Sequence, residues 1–144
     1  MEQLKQYNPD LSKNLIVNLT FQFALDIVKF TELLESKRKF AVANQVIRSG
    51  TSIGANVREA QNAESRNDFI HKVKIAAKEA DESEYWLEIC NQSENYPKSE
   101  ELLQQILSIK KVLSKIIASS KASTNNQIIK LTNQRIRVCS TKLE

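Results

Sequence analysis

The chain predicts an all-α protein, an antiparallel up-down-up-down four-helix bundle, and three observations carry that reading. Only two Gly and two Pro occur in 144 residues, too few turn signals for a fold of short strands. Apolar residues recur at alternating steps of three and four over four long stretches, the period of helices with one buried face. The breaks between these stretches are short, and short links leave successive helices antiparallel. The length suits one domain with room for a real core.

Helix one is expected from about Ser12 to Leu34, with Asn8, Pro9 and Asp10 leading in and Ser12 as candidate N-cap. Its core stripe is Ile16, Thr20, Phe23, Ile27, Phe30 and Leu34. A basic link at Lys37, Arg38 and Lys39 leads into helix two, about Phe40 to Ala63, whose stripe reads Ala43, Val46, Gly50, Ile53, Val57 and Ala60. Gly50 and Gly54 lie inside this helix, where each costs roughly 1 kcal/mol against Ala. Close approach of another helix is the expected compensation. Ser65 with Asp68 resembles a capping box and opens helix three, about Arg66 to Asn91, with Phe69, Val73, Ala76, Ala80, Ser83, Leu87 and Cys90 on one face. Asn95, Tyr96 and Pro97 make the clearest turn. Helix four follows to about Ser120 with Leu102, Ile106, Ile109, Leu113 and Ile116 in register.

Charge divides the chain into a body and a tail. Residues 1–120 hold 16 Lys and Arg against 16 Asp and Glu, while residues 121–144 hold Lys121, Lys130, Arg135, Arg137 and Lys142 against Glu144 alone. The tail therefore carries the whole net charge of +4. We expect residues 1–121 to form the bundle and 122–144 a basic C-terminal tail, a composition suited to nucleic acid or an acidic partner. The apolar Ile128, Ile129, Leu131, Ile136 and Val138 argue that part of the tail packs.

Several classes of chemistry lack their residues. His71 is the only histidine; its i, i+3 spacing from Asp68 matches one ligand pair of a di-iron bundle, but that site needs two such pairs and facing glutamates. No metal, cofactor or catalytic group is expected, and His71 should face solvent, nearly opposite Phe69. Cys90 and Cys139 form no CxxC and read as incidental thiols. No stretch approaches the roughly 18 apolar residues of a membrane span, and the start MEQLKQYNPDLSKN lacks a signal peptide's apolar centre. A cytoplasmic, non-enzymatic protein without membrane contact is the expectation.

Two surfaces remain as binding candidates. On helix two, Arg48, Thr51, Ser52, Ala55, Arg58, Glu59 and Asn62 lie opposite the core stripe, so two guanidiniums flank small and hydroxyl side chains, a patch suited to phosphate or carboxylate. A solvated face in which Arg58 pairs with a nearby acid is the plainer alternative. Arg66 and Lys72 continue the basic character into helix three, whereas Lys74 and Lys78 alternate with acids on other faces. On helix three a second stripe, Ile75, Glu79, Glu82, Trp86 and Ile89, lies about 120° from the core stripe. Apolar at its centre and charged at its rim, it reads as a subunit interface; packing of the helix edge against the tail is the other reading.

At these residues the chain resembles the four-helix-bundle family encoded within intervening sequences of bacterial 23S rRNA genes, sometimes labelled ribosomal proteins. The resemblance runs from about Phe21 to Ile117. It is densest over Gln45, Arg48, Ser49, Ser52, Ile53, Asn56, Glu59 and Ala60, then over Asp68, Phe69, Lys72, Ala76, Lys78, Glu79, Glu84, Trp86 and Leu87. Beyond about Ala122 the chain departs from the family's usual short ending. The resemblance implies an antiparallel bundle assembling as a cyclic homo-oligomer, typically a pentamer, without enzymatic activity. It implies close packing at Gly50 and Gly54, and subunit or nucleic-acid contact at Arg48 and Arg58. Accessory proteins of diversity-generating retroelements, similar in fold, bind a reverse transcriptase and nucleic acid.

The expected function is therefore that of a non-enzymatic, oligomeric RNA- or nucleoprotein-binding accessory. Arg48, Arg58, Arg66, Lys72, Lys130, Arg135 and Arg137 are its binding candidates, and Ile75, Glu79, Glu82, Trp86 and Ile89 its oligomer interface. Its partners would be further copies of itself, and RNA or a nucleic-acid-processing protein. The alternative is a protein-binding scaffold ring with no nucleic-acid role.

Overall fold

The computed structural model describes the backbone of residues 11–140 and the side chains of residues 15–134. Four helices account for almost all of it: α1 (Leu11–Ser36), α2 (Phe40–Gln61), α3 (Arg66–Gln92) and α4 (Glu100–Ser140). Each packs on its neighbour in sequence and α4 closes the ring against α1, most sparsely of the four pairs. Helices that touch across such short links run antiparallel.

The predicted stripes form the core. Ile16, Phe23, Ile27 and Leu34 of α1, Val46, Ile53 and Val57 of α2, Val73 and Leu87 of α3, and Ile106, Ile109 and Leu113 of α4 are all buried. Phe69 and Ile116, at the end of the bundle, are only half-buried. Buried hydroxyls turn back on their own helices: Thr20 donates to the Ile16 carbonyl at 2.8 Å, and Ser49 and Ser83 to the Gln45 and Glu79 carbonyls at 2.8 Å. Among the described residues no buried side-chain polar atom lacks a partner, as a stable interior requires.

Neither glycine has a positive φ, so their purpose is spatial rather than conformational. A Cβ on Gly50 would stand 2.9 Å from two carbons of Ile27, and one on Gly54 would meet the Thr20 carbonyl oxygen at 3.4 Å. The first is a clash with a side chain and the second an ordinary contact with main chain, so Gly50 makes room for Ile27 and Gly54 for the backbone of α1 at Thr20.

The links are built from specific bonds. Arg38 takes φ 61° and Lys39 donates its backbone N–H to the Leu34 carbonyl at 2.9 Å, reversing the chain in three residues. Ser65 caps α3 by accepting the Asp68 N–H at 3.0 Å, the first half of the expected capping box, while the Asp68 carboxylate accepts the N–H of Glu64, one residue before the cap, at 3.3 Å instead of that of Ser65. Asn95 takes φ 62°, a conformation that Asn tolerates. Ser99 then anchors the start of α4, its hydroxyl donating to the Leu87 carbonyl at 2.6 Å. The Lys39 ammonium sits 4.7 Å from the Tyr96 ring centroid, tying the α1–α2 and α3–α4 links together at one end.

Two expectations about helix limits are corrected. Because α1 already includes Leu11, Ser12 lies in its first turn rather than capping it; Asn8, Pro9 and Asp10 lie outside the described residues. Helix four does not stop near Ser120. It runs 41 residues to Ser140, about 60 Å at 1.5 Å per residue, against 22 to 27 residues for the other three helices. No Gly or Pro follows Pro97, and Ser, Thr and Asn lower helix propensity by only tenths of a kcal/mol each. Every side chain from Asn125 to Gln134 is exposed. Over these residues α4 therefore leaves the bundle as an arm.

Candidate nucleic-acid and partner interface

The two guanidiniums of α2 leave the helix on opposite edges. Arg48 reaches α3, donating to Glu79 at 3.4 Å and to Glu82, which also accepts the Trp86 indole N–H at 3.3 Å. The hydrogen bond from Arg48 holds the Glu82 carboxyl below its ordinary range, and the bond to Glu82 raises the Arg48 pKa. Arg58 turns to α1, where its guanidinium lies 5.0 Å from the Phe21 ring centroid. Between them the Thr51, Ser52 and Asn56 side chains donate to carbonyls of their own helix. The expected two-arginine patch is thus two separate sites, one neutralised by glutamates and one stacked on an aromatic ring.

The α3 stripe sits at the seam with α2. Ile75, Glu79, Glu82, Trp86 and Ile89 are all half-buried, and Trp86 packs partly on the core. Arg48 thereby joins two of its glutamates, bringing together residues that the sequence assigned to different surfaces. Lys72 is likewise paired, with Glu59 at 2.9 Å, a bond that raises its pKa. On the far side of α3, Lys110 bridges Asp81 at 2.9 Å and Glu84.

Other cations are unpaired. Arg66 and Lys130 are exposed and make no ion pair among the described residues. Arg135 and Arg137 fall within the backbone of α4, but their side chains lie outside the described ones. The arm from Lys121 to Ser140 therefore carries Lys121, Lys130, Arg135 and Arg137 with no Asp or Glu. Ile128, Ile129 and Leu131 stand exposed on it, so the expected packing is absent at these three; Ile136 and Val138 lie beyond the described side chains.

A further surface is one that sequence reading passed over. Phe21, Leu25 and Val28 of α1 are 49%, 43% and 41% exposed, and Phe40 of α2 is 54% exposed. The spacing 21, 25, 28 is itself a helical stripe on the outside of α1. Arg58 of α2 lies over Phe21 at one end of this stripe. Phe21, Leu25 and Val28 form an apolar stripe on α1, and Phe40 is a separate exposed ring at the start of α2; all four are more open than the α3 stripe. The signal lay in the 4-3 spacing, overshadowed by the stronger core stripe of the same helix.

His71 is exposed, and among the described residues no group of three His, Cys, Asp or Glu is placed to hold a metal. Cys90 is buried, which pushes its thiol up to about 11; the Cys139 side chain lies outside the described ones. No helix among the described residues is long and apolar enough to cross a membrane.

Residues 12–117 match the family described as 23S rRNA-intervening sequence protein. A crystal structure of a protein with unknown function from the S23 ribosomal protein family of Bacteroides thetaiotaomicron VPI-5482 is 41% identical. The match covers 75% of this chain and 99% of that one, with a TM-score of 0.71. No curated protein matches the chain. The arm of α4 lies past the family match, which ends at residue 117.

Proposed function

The chain belongs to the 23S rRNA-intervening sequence protein family, and we propose that it acts as a non-enzymatic, cytoplasmic, self-associating bundle that binds RNA or a nucleoprotein. The observation that carries the binding half is the arm of α4, four cations on a continuous helix without an acid. Phosphate contacts made by Lys and Arg need no base recognition and give affinity that falls steeply with salt. A cyclic homo-oligomer, a pentamer by the family resemblance, would repeat the arm in every copy, and weak contacts multiply when they are linked.

The test is retention of RNA across a salt series by three proteins: the full chain, the chain lacking residues 122–144, and Arg48→Gln with Arg58→Gln. The full chain should bind at low salt. The truncated chain should bind much more weakly and with a shallower salt slope, and the arginine pair should change less, because Arg48 is already paired with Glu79 and Glu82 and only Arg58, over Phe21, lacks an acid among the described residues. Absence of binding by the full chain at low salt overturns the nucleic-acid reading. The scaffold reading then takes its place, supported by the exposed apolar stripe at Phe21, Leu25 and Val28.

A further inference from the structure

The arm of α4 leaves the bundle beside the first turns of α3, and a cavity of about 290 Å³ lies at that root. It is lined by Asn67, Ile70, Lys74, Lys121, Thr124 and Asn125. The acids that alternate with Lys74 along the sequence fall on other faces of α3. Neither Lys74 nor Lys121 makes an ion pair among the described residues, and no carboxylate lines the cavity. Asp68, the acid of this turn, accepts the Glu64 N–H, and Lys72 feels its charge. In an adjoining cavity, Arg66 stands with Ser65 and Ser120, again without a carboxylate.

Such a group recognises a particular chemistry. Two ammoniums unmatched by acids favour an anion with several acceptor oxygens, and two carboxamides beside them can donate to those oxygens. Elsewhere on the bundle, Arg48, Lys72 and Lys110 are already satisfied by glutamates and an aspartate. Lys74 and Lys121 are not so satisfied; what sets them apart from other cations without an ion pair is that they share one cavity, which is continuous with the basic arm. We propose that this cavity is a phosphate-binding site that seats the sugar-phosphate backbone of a nucleic acid where the arm joins the bundle. The inference rests on the nucleic-acid reading above, but it assigns the contact to the bundle wall as well as to the arm.

The experiment uses the full chain and a single-stranded RNA of mixed sequence, with affinity measured over a salt series. Lys74→Gln with Lys121→Gln is compared with Lys29→Gln and Lys111→Gln, which remove the same charge from exposed positions elsewhere. If the root holds two phosphates, its variant should lower the slope of log affinity against log salt by about 1.4. The control pair should leave that slope nearly unchanged. Equal effects of the two pairs would reduce the cavity to general charge and overturn the proposal. If the full chain binds no RNA, the nucleic-acid reading fails by itself, and inorganic tripolyphosphate becomes the probe. A rise in melting temperature with tripolyphosphate that Lys74→Gln with Lys121→Gln abolishes would keep the phosphate site, while no rise would overturn it too.

Discussion

Gly50 and Gly54 lie four residues apart on one helix, yet the structure gives them opposite sensitivities. At Gly50 the new Cβ would press on Ile27, which is fully buried and cannot swing away. Gly50→Leu should therefore lower the melting temperature: overpacking costs about 1–3 kcal/mol, against a propensity gain of about 1 kcal/mol. At Gly54 the same Cβ makes an ordinary contact, so Gly54→Ala should keep most of that gain and raise the melting temperature. Thermal unfolding of both variants checks the pair, and a more stable Gly50→Leu would overturn the packing of α1 on α2. Glu82 yields a pH dependence. Its folded pKa lies below the unfolded one because Arg48 donates to it, so its contribution is present above the unfolded value and lost as pH falls through the folded one. Glu82→Gln should be less stable than the parent at neutral pH, with the gap closing once the pH falls below the ordinary glutamate range. Urea midpoints at neutral pH and below that range measure it; an unchanged gap would show that the pair adds no pH-dependent stability.

At the scale of elements, α4 separates into a packed half and a free half. A lone helix of about 20 residues is marginal in water because nucleation is costly. The arm avoids that cost by propagating from a helix already held by Leu102, Ile106, Ile109 and Leu113. Removing residues 122–144 should therefore lower the helical circular dichroism by the signal of residues 122–140 while leaving the melting temperature of the bundle nearly unchanged, since residues 125–134 are all exposed. A large fall in melting temperature would mean that the arm folds back on the bundle. The bundle helices and their stripes were legible because their apolar period is regular. The arm was not, because its Ser, Thr and Asn content looks like a linker and its continuation depends on the helix that precedes it.

The whole molecule presents two candidate association faces with different degrees of burial. Half-buried Trp86 packs on the core and its indole N–H is held by Glu82, so Trp86→Glu should destabilise the fold as well as any interface. Phe21 and Leu25 are open, and Phe21→Glu with Leu25→Glu should reduce the assembly while leaving helicity and melting temperature close to the parent. Light scattering coupled to size exclusion distinguishes them: the parent should run at several times 16.4 kDa, and the Phe21, Leu25 variant at a lower mass. A monomeric parent at micromolar concentration would overturn self-association, and an unshifted Phe21, Leu25 variant would return the interface to the α3 stripe.

The sequence by itself determined four helices, their buried faces, the cap at Ser65 and Asp68, and the concentration of positive charge after residue 120, because each of these is a local matter of period, propensity or composition. Which cations remain available was decided only by tertiary structure. Arg48 meets Glu79 and Glu82 from another helix, more than thirty residues away, whereas Lys74 and Lys121, on α3 and α4, meet across a cavity with no acid between them. Helical spacing places a side chain on its own helix, but ion pairing depends on what the neighbouring helix brings opposite it, and that register is set by packing contacts such as Gly50 against Ile27.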